Sequence, residues 1–447
     1  MKSCSVDLEQ MLAARERRAA IQGRMLGGAG ENACLVCLTL NIAGDIKRTP
    51  MTKMLFDRGV RELESLGVSV TDRRIIDEAT GSEAFWLLDE EGERVKPLLE
   101  AIEDSFPAAR LYDFDLIMPG GAKLSRKEAR KCLMCDAPAA ECARSRRHGL
   151  AQIKKATDDL LAGACAETLA EAARDSLLDE LRTTPKPGLV DMNNNGAHPD
   201  MDADMFERSA DALLSYFEDA ARMGLDGCGM SALRRRGLQA ESEMFAATGG
   251  VNTHKGLIYS MGLLLAGMGR CLREGGECTE HAAALAREDA EARLSSSKSG
   301  PSTNGGRAYS LYGARGATGE AASGFPGALY CLSRLECYRQ SGREDAAALA
   351  LCDSMKELED TNLLNRGGPE GLGYVRDCAA RISAMPPEKR INELCGLDRE
   401  LIYRGLSPGG SADMLALALL LERWQDLSGG CVQNHKEGKR HDEGDTE

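Results

Sequence analysis

Residues 183–202 read TTPKPGLVDMNNNGAHPDMD, and no regular element accommodates them. Pro185, Pro187 and Pro199 each lack a backbone donor, which excludes a helix interior and a central strand. A rigid, polar loop of this length between apolar segments must be holding something. What flanks it decides the fold. Before about residue 150 the chain alternates between helical and strand-like stretches. CLVCLTLNIA (34–43) is a short apolar run suited to a buried strand, and PMTKMLFDRGVRELESLG (50–67) is a helix opened by Pro50 and closed by Gly67. VSVTDRRII, EAFWLLD and ARLYDFDLIM add strand-like pieces, with helices over 7–24 and near 93–105. From 151 onward strand signals nearly vanish. Segments 203–222, 254–273, 279–294, 343–358 and 411–424 carry apolar residues at three- and four-residue spacing, separated by loops rich in Gly, Pro, Asn and Asp.

The expected architecture is two domains. Residues 1–155 form an α+β domain with a mixed sheet, residues 156–430 an all-α domain, and 431–447 a disordered tail whose His435 and His441 are solvated. The join near AQIKKATDDL (151–160) reads as the start of a continuous helix rather than a floppy linker.

A formal net charge of -14 and 4% aromatic residues argue against nucleic-acid binding, which draws on surplus Lys and Arg and on stacking rings. The amino terminus MKSCSVDLEQ lacks the apolar core of a secretion signal, and the apolar run LALALLL (415–421) is too short to span a bilayer. These features suit a cytoplasmic protein whose 16 cysteines stay reduced, most of them as small apolar fillers.

Four polar loops punctuate the helical half: the opening stretch with Asp191, His198, Asp200 and Asp202; GGVNTHKG (249–256); EDTNLLNRGGPEG (359–371); and RGLSPGGSADMLA (404–416). Singly, each is ordinary capping chemistry; Asn252 and Thr253, for example, suit the start of the helix near His254. Together they bring repeated acids, Lys255, Arg366 and several glycines to helix starts. That combination suits an anion site with metal assistance, because helix amino termini attract phosphate and Asp oxygens suit Mg²⁺. No GxxxxGK[ST] motif is present, which excludes a P-loop.

TTPKPGLVDMNNNGAHPDMD, GVNTHKGLIYSMGLL, EDTNLLNRGG and LSPGGSADMLA resemble, in order, the motif set of triphosphoribosyl-dephospho-CoA synthases, over roughly residues 160–425. The resemblance implies condensation of ATP with 3'-dephospho-CoA and release of adenine. A ribose hydroxyl must then attack C1' of the ATP ribose through an oxocarbenium-like transition state, which needs a carboxylate, a base and an acid. The implied catalytic pool is Asp191, Asp200, Asp202 and His254, with Asp200, Asp202, Asp360 and Asp413 as Mg²⁺ ligands. Lys186, Asn252, Lys255, Asn362, Arg366, Ser407, Gly409 and Gly410 would bind the nucleotide. In YGARGATGEAASGFP (312–326), Thr318 stands where the pattern leads one to expect arginine, and Arg315 is the nearest substitute.

LTLNIAGDIKRTP (38–50), RLYDFDLIMPGGAKLSR (110–126) and RKCLMCDAPAAECARSRRH (130–148) resemble the citrate lyase holo-acyl-carrier-protein synthase, a phosphoribosyl-dephospho-CoA transferase. That transfer joins a serine of the citrate lyase acyl carrier protein to the α-phosphorus and expels pyrophosphate, so the partner implied is that carrier. On a strand, Asp113 and Asp115 share a face and suit catalysis with Mg²⁺; Asn41, Lys47 and Arg48 would contact phosphate. Cys132, Cys135, Cys142 and His148, spaced C-x₂-C-x₆-C-x₅-H, suit a tetrahedral Zn²⁺ set or plain reduced thiols. RSRRH (144–148) concentrates positive charge that would receive phosphates or an acidic carrier. Two other readings fit the acids of the helical half: a Mg²⁺-dependent nucleotide glycohydrolase, and a non-catalytic assembly factor that binds nucleotide and carrier.

Overall fold

The computed structural model describes residues 4–30, 32–126, 128–295 and 304–429. The chain divides into two compact units, Met1–Cys165 and Ala166–Asp426, with the division inside one helix, Leu150–Arg182. The tail 431–447, with His435 and His441, lies outside the described residues.

The first unit runs α1 (Leu8–Leu26), β1 (Cys34–Leu40), α2 (Pro50–Glu64), β2 (Val70–Glu78), β3 (Gly81–Leu88), α3 (Gly92–Glu103), β4 (Tyr112–Ile117), β5 (Lys123–Leu124) and α4 (Ala139–Ser145). Its five strands lie in the order β2-β3-β1-β4-β5. All neighbours are antiparallel, so the expected mixed sheet is corrected. The crossover through α2 carries the chain to the edge strand β2, and a tight turn returns β3 between β2 and β1. β1 and β2 run the same way but never touch. The apolar run 34–38 is buried throughout because helices cover both sheet faces. Ile21 and Met25 of α1 pack on Leu35, Cys37, Phe85 and Ile117. On the other face Gly59 of α2 lies against Leu38 and Tyr112.

The second unit contains helices alone among its described residues. α5 (Leu150–Arg182) leads into the proline-rich loop. α6 (Ala203–Ala212), α7 (Leu214–Leu225), α8 (Met230–Ala247), α9 (Lys255–Glu274), α10 (Cys278–Ser295), α11 (Asn304–Tyr312) and α12 (Gly316–Ala322) follow. α13 (Pro326–Gln340), α14 (Ala346–Glu357), α15 (Thr361–Ser383), α16 (Pro387–Arg404) and α17 (Gly409–Leu427) complete it. α9 is the buried centre, and its small residues let α7 approach. A Cβ at Gly262 would collide with the Tyr216 hydroxyl, which donates to the Ile258 carbonyl at 3.0 Å. The single helix expected over 203–222 is two, divided at Leu213. Among the described residues no helix is long and apolar enough to cross a membrane.

Candidate active sites

The proline-rich loop of the second unit is folded by its own acids and amides. Asp191 is buried, and its carboxylate accepts the backbone amides of Asn193 (2.8 Å), Asn194 (3.0 Å) and Lys186 (3.2 Å). Asn194 accepts from the Gly196 amide at 2.7 Å and donates to Asp398 at 3.0 Å, while Asp398 also accepts the Gly188 amide at 2.9 Å. Asp191, expected among the catalytic carboxylates, is thus consumed in holding the loop. Three loop amides, that of Lys186 fully buried, need acceptors, and it supplies them.

From this platform two groups of side chains separate. The outer group lies along residues 196–202. His198 Nε2 contacts the Ser407 hydroxyl at 2.8 Å, and Arg366 reaches His198 Nδ1 at 3.0 Å, the Ala197 carbonyl at 3.1 Å and the Gly405 carbonyl at 3.2 Å. Burial, then the Arg366 charge, push His198 down to about 4 although Asp200 opposes them, so the ring is neutral at pH 7. Arg366 therefore ties two loops together. Asp200 is exposed; Asp202 is the exposed N-cap of α6, accepting the Met205 amide at 2.8 Å.

The inner group forms where α9, α15 and α17 begin. Asp360 caps α15 through the amides of Asn362 (2.8 Å) and Leu363 (3.3 Å) and pins α17 through the amide (2.9 Å) and hydroxyl (3.3 Å) of Ser411. The glycines of LSPGGS are required by this closeness. A Cβ at Gly409 would lie 2.7 Å from Asn362 Nδ2, and one at Gly410 3.0 Å from the Asp360 carboxyl. One turn further along α17, Asp413 faces Gly256, whose Cβ would stand 3.3 Å from its Oδ2. Asp413 accepts no hydrogen bond from any described residue. Burial, then Asp360 and Glu180, raise its carboxyl well above the ordinary range.

Glu180, at the end of α5, is buried with Lys186 and bonded to its Nζ at 2.6 Å; burial raises it despite that partner. Lys186, expected to face phosphate, is inside with this acid because an unpaired buried ammonium would be costly. His254 is also inside. Its Nδ1 meets the Ser209 hydroxyl at 2.7 Å, its ring stands edge-on to Phe206, and burial with the Lys186 charge pushes it down to about 3. Asn252 accepts the first amide of α9, that of Lys255, at 3.1 Å, while Thr253, also expected to cap, donates to the Ser209 hydroxyl at 2.8 Å instead; Lys255 pairs with Glu241 at 2.8 Å. Among the described residues, Cys132, Cys135, Cys142 and His148 form the one group of three or more His, Cys, Asp or Glu ligand atoms within 4.8 Å of one another. Asp200, Asp202, Asp360 and Asp413 therefore make no ready-built cation cage.

Two acids escaped the sequence reading. Glu180 sits in DELR at a helix end, a pattern indistinguishable from a solvated face. Glu320, in the passage at 312–326, accepts the amides of Gly327 (2.6 Å) and Ala328 (3.2 Å), capping α13 beside Met414. Burial raises its carboxyl against those two amides. Arg315 is exposed at the start of α12, where Gly316 packs on Thr361.

In the first unit, Asp113 and Asp115 of β4 pair across the ladder with Thr39 and Cys37, on the sheet face that α1 covers. Asp113 is exposed, and Asp115 is bonded to Lys123 at 2.6 Å. The loop after β1 carries exposed Asn41, whose amide donates to the Leu111 carbonyl at 2.7 Å. Lys47 donates to the Ile42 carbonyl at 2.5 Å, and burial lowers its ammonium. Arg48 grips Asp77 with two nitrogens, at 2.7 and 2.5 Å, and this pair draws the Asp77 carboxyl down against its burial. Its guanidinium is thus already matched by an anion. Beside this loop lies a cleft of about 460 Å³ lined by Arg15, Lys47 and Lys154 together with Gly44 and Asp45.

Comparison with known proteins follows the same division. Residues 166–431 match the family model of the ATP:dephospho-CoA triphosphoribosyl transferases, CitG. Residues 6–163 match that of the apo-citrate lyase phosphoribosyl-dephospho-CoA transferases, CitX. "Protein CitXG" of Haemophilus influenzae is 32% identical over 93% of this chain and 95% of its own length. "Protein CitXG" of Leuconostoc mesenteroides subsp. cremoris is 29% identical over 94% of this chain and 97% of its own. A probable 2-(5''-triphosphoribosyl)-3'-dephosphocoenzyme-A synthase 1 of Salmonella choleraesuis is 40% identical over 56% of this chain and 88% of its own. With an acid-lined meeting of helix starts in one unit and paired aspartates on a sheet face in the other, the chain belongs to the ATP:dephospho-CoA triphosphoribosyl transferase family and carries an apo-citrate lyase phosphoribosyl-dephospho-CoA transferase domain ahead of it.

Proposed function

We propose that the helical unit breaks the glycosidic bond of ATP where α9, α15 and α17 begin, with Asp413 as the carboxyl that meets the reacting groups. The chain is a bifunctional transferase of citrate lyase prosthetic-group biosynthesis. Its carboxy-terminal part joins ATP to 3'-dephospho-CoA with release of adenine. Its amino-terminal part transfers the phosphoribosyl-dephospho-CoA group to the apo acyl carrier protein. In the first reaction the 2'-hydroxyl bonds to C1' as the bond to adenine breaks, and the hydroxyl proton is the proton adenine gains. A carboxyl held well above the ordinary carboxylate range can give that proton and take it back. The supporting observation is the Asp413 carboxyl, raised by burial and two acidic neighbours and left without a hydrogen-bond donor.

Of the carboxylates expected to hold Mg²⁺, Asp360 is saturated by three amides and a hydroxyl. Asp200 and Asp202 keep oxygens open at the exposed end of the loop. They would hold the ion, whose charge would anchor the triphosphate intact; Mg²⁺ commonly takes one or two carboxylates alongside phosphates and water. Arg315, exposed at the start of α12, would complete the anion site.

For the carrier reaction, Asp113 and Asp115 would face the α-phosphate and a bound Mg²⁺. The cleft with Arg15, Lys47 and Lys154 would take the departing pyrophosphate, and Arg144, Arg146 and Arg147, all exposed, would meet the carrier. The experiment is mass spectrometry of apo carrier after incubation with the enzyme, Mg-ATP and dephospho-CoA, with adenine assayed in parallel. A mass gain of phosphoribosyl-dephospho-CoA is expected. Adenine released without dephospho-CoA would mark a glycohydrolase instead, and binding without adenine or mass gain an assembly factor.

A further inference from the structure

We infer that Cys132, Cys135, Cys142 and His148 bind one zinc ion in a closed structural site of the amino-terminal unit. Their four ligand atoms lie within 4.8 Å of one another, although they come from a bridged loop, the middle of α4 and the turn after it. Cys135 Sγ is 3.5 Å from Cys142 Sγ and 3.4 Å from His148 Nε2. Zn–S bonds of about 2.3 Å in a tetrahedron put ligand atoms about 3.8 Å apart, so the cluster is near the spacing zinc requires. A disulfide needs about 2.05 Å, and no pair of cysteines here is bonded.

The surrounding backbone is built to hold that spacing. The Cys132 amide donates to the Ala137 carbonyl and the Ala139 amide to the Arg130 carbonyl, both at 2.8 Å, closing a tight knuckle around Cys135. The Met134 amide donates to Cys132 Sγ at 3.4 Å and fixes that side chain's direction. The knuckle has little apolar burial of its own: of residues 128–149 only Cys142 is buried. Something other than a hydrophobic core must order it, and a metal supplies folding energy to such segments.

Its base is fixed from below. Arg110 donates to the carbonyls of Lys131 (3.0 Å) and Cys132 (2.8 Å), and Arg130 to the Tyr112 carbonyl at 2.7 Å. Arg130 and Arg126 both pair with Glu103, which is buried and accepts the Phe114 amide at 3.0 Å. Phe114 stands between Asp113 and Asp115, so the knuckle is joined through one buried acid to the strand carrying both aspartates. Four protein ligands leave no open position, so the ion would order the knuckle and its arginines rather than activate water.

The test is metal analysis of the full chain purified without chelator, with Co²⁺ exchanged in afterwards. One zinc per chain and the visible bands of tetrahedral thiolate-bound cobalt are expected. Cys135→Ser should lose both signals and expose residues 128–149 to proteolysis, while Cys337→Ser, at an exposed thiol elsewhere, keeps them. Undiminished adenine release by Cys135→Ser would show that the chain remains folded. Absence of zinc together with no cobalt spectrum on titration, or full metal retention in Cys135→Ser, would overturn the assignment.

Discussion

At the scale of single residues, the proposed roles of Asp413 and Asp113 allow the two chemistries to be tested apart. A carboxyl whose folded pKa is raised binds protons more tightly in the folded state. Stability is therefore lost as pH climbs from the ordinary carboxylate range through the raised value. Asp413→Asn should accordingly raise the thermal midpoint at pH 8 by a few degrees, less at pH 5, and yet cut adenine release by about a hundredfold or more. Calorimetry at the two pH values and an adenine assay check this; an unchanged midpoint would mean the acid is neutralised by something else. Asp113→Asn should reduce carrier loading to a similar extent and leave adenine release intact, which one reaction mixture measures. Asp200→Asn should raise the Mg²⁺ concentration needed for adenine release by about tenfold, roughly 1.4 kcal/mol of lost ion binding. A normal Mg²⁺ titration would remove Asp200 from the site.

At the scale of elements, the loop at 183–202 shows what a sequence can and cannot give. That it is neither helix nor strand followed from three prolines, and that it is polar for a purpose followed from its acids. Which acid serves the fold and which the chemistry depended on the direction of backbone amides, which no spacing encodes. Asp191 turned inward to three amides; Asp413, in a stretch that also reads as ordinary helix-start chemistry, was left without one. Glu180 was hidden because a glutamate near a helix end is usually solvated, and only the fold of the loop brings Lys186 to it. Four of the five strands were legible, but the two-residue β5 and the pairing direction were not, the latter because it depends on where the α2 crossover lands. Asp191→Ala should cost about 1–3 kcal/mol, because one buried and two part-buried amides lose their acceptor. Urea unfolding measures it. Gly262→Ala should cost about 1–3 kcal/mol by forcing α7 and α9 apart at Tyr216, and the same titration reports it.

At the scale of the whole molecule, two reactions in series share one chain, and the product of one is the substrate of the other. Mixing Asp113→Asn with Asp413→Asn distinguishes a released intermediate from a retained one. If it is released, the mixture should recover loading to nearly half the rate of the unaltered enzyme at equal total concentration. Recovery that vanishes when dephospho-CoA is limiting would point to retention. The amino-terminal sheet has little to offer a carrier at its borders. One rim, β2, is mostly exposed and bears Asp72, Arg73, Arg74, Asp77 and Glu78; the other, β5, is two residues long. Charged and abbreviated rims discourage an incoming strand from zipping on. A visiting protein would have to be greeted by side chains rather than by main chain, in a brief, salt-sensitive encounter suited to an enzyme that must modify its client once and let go.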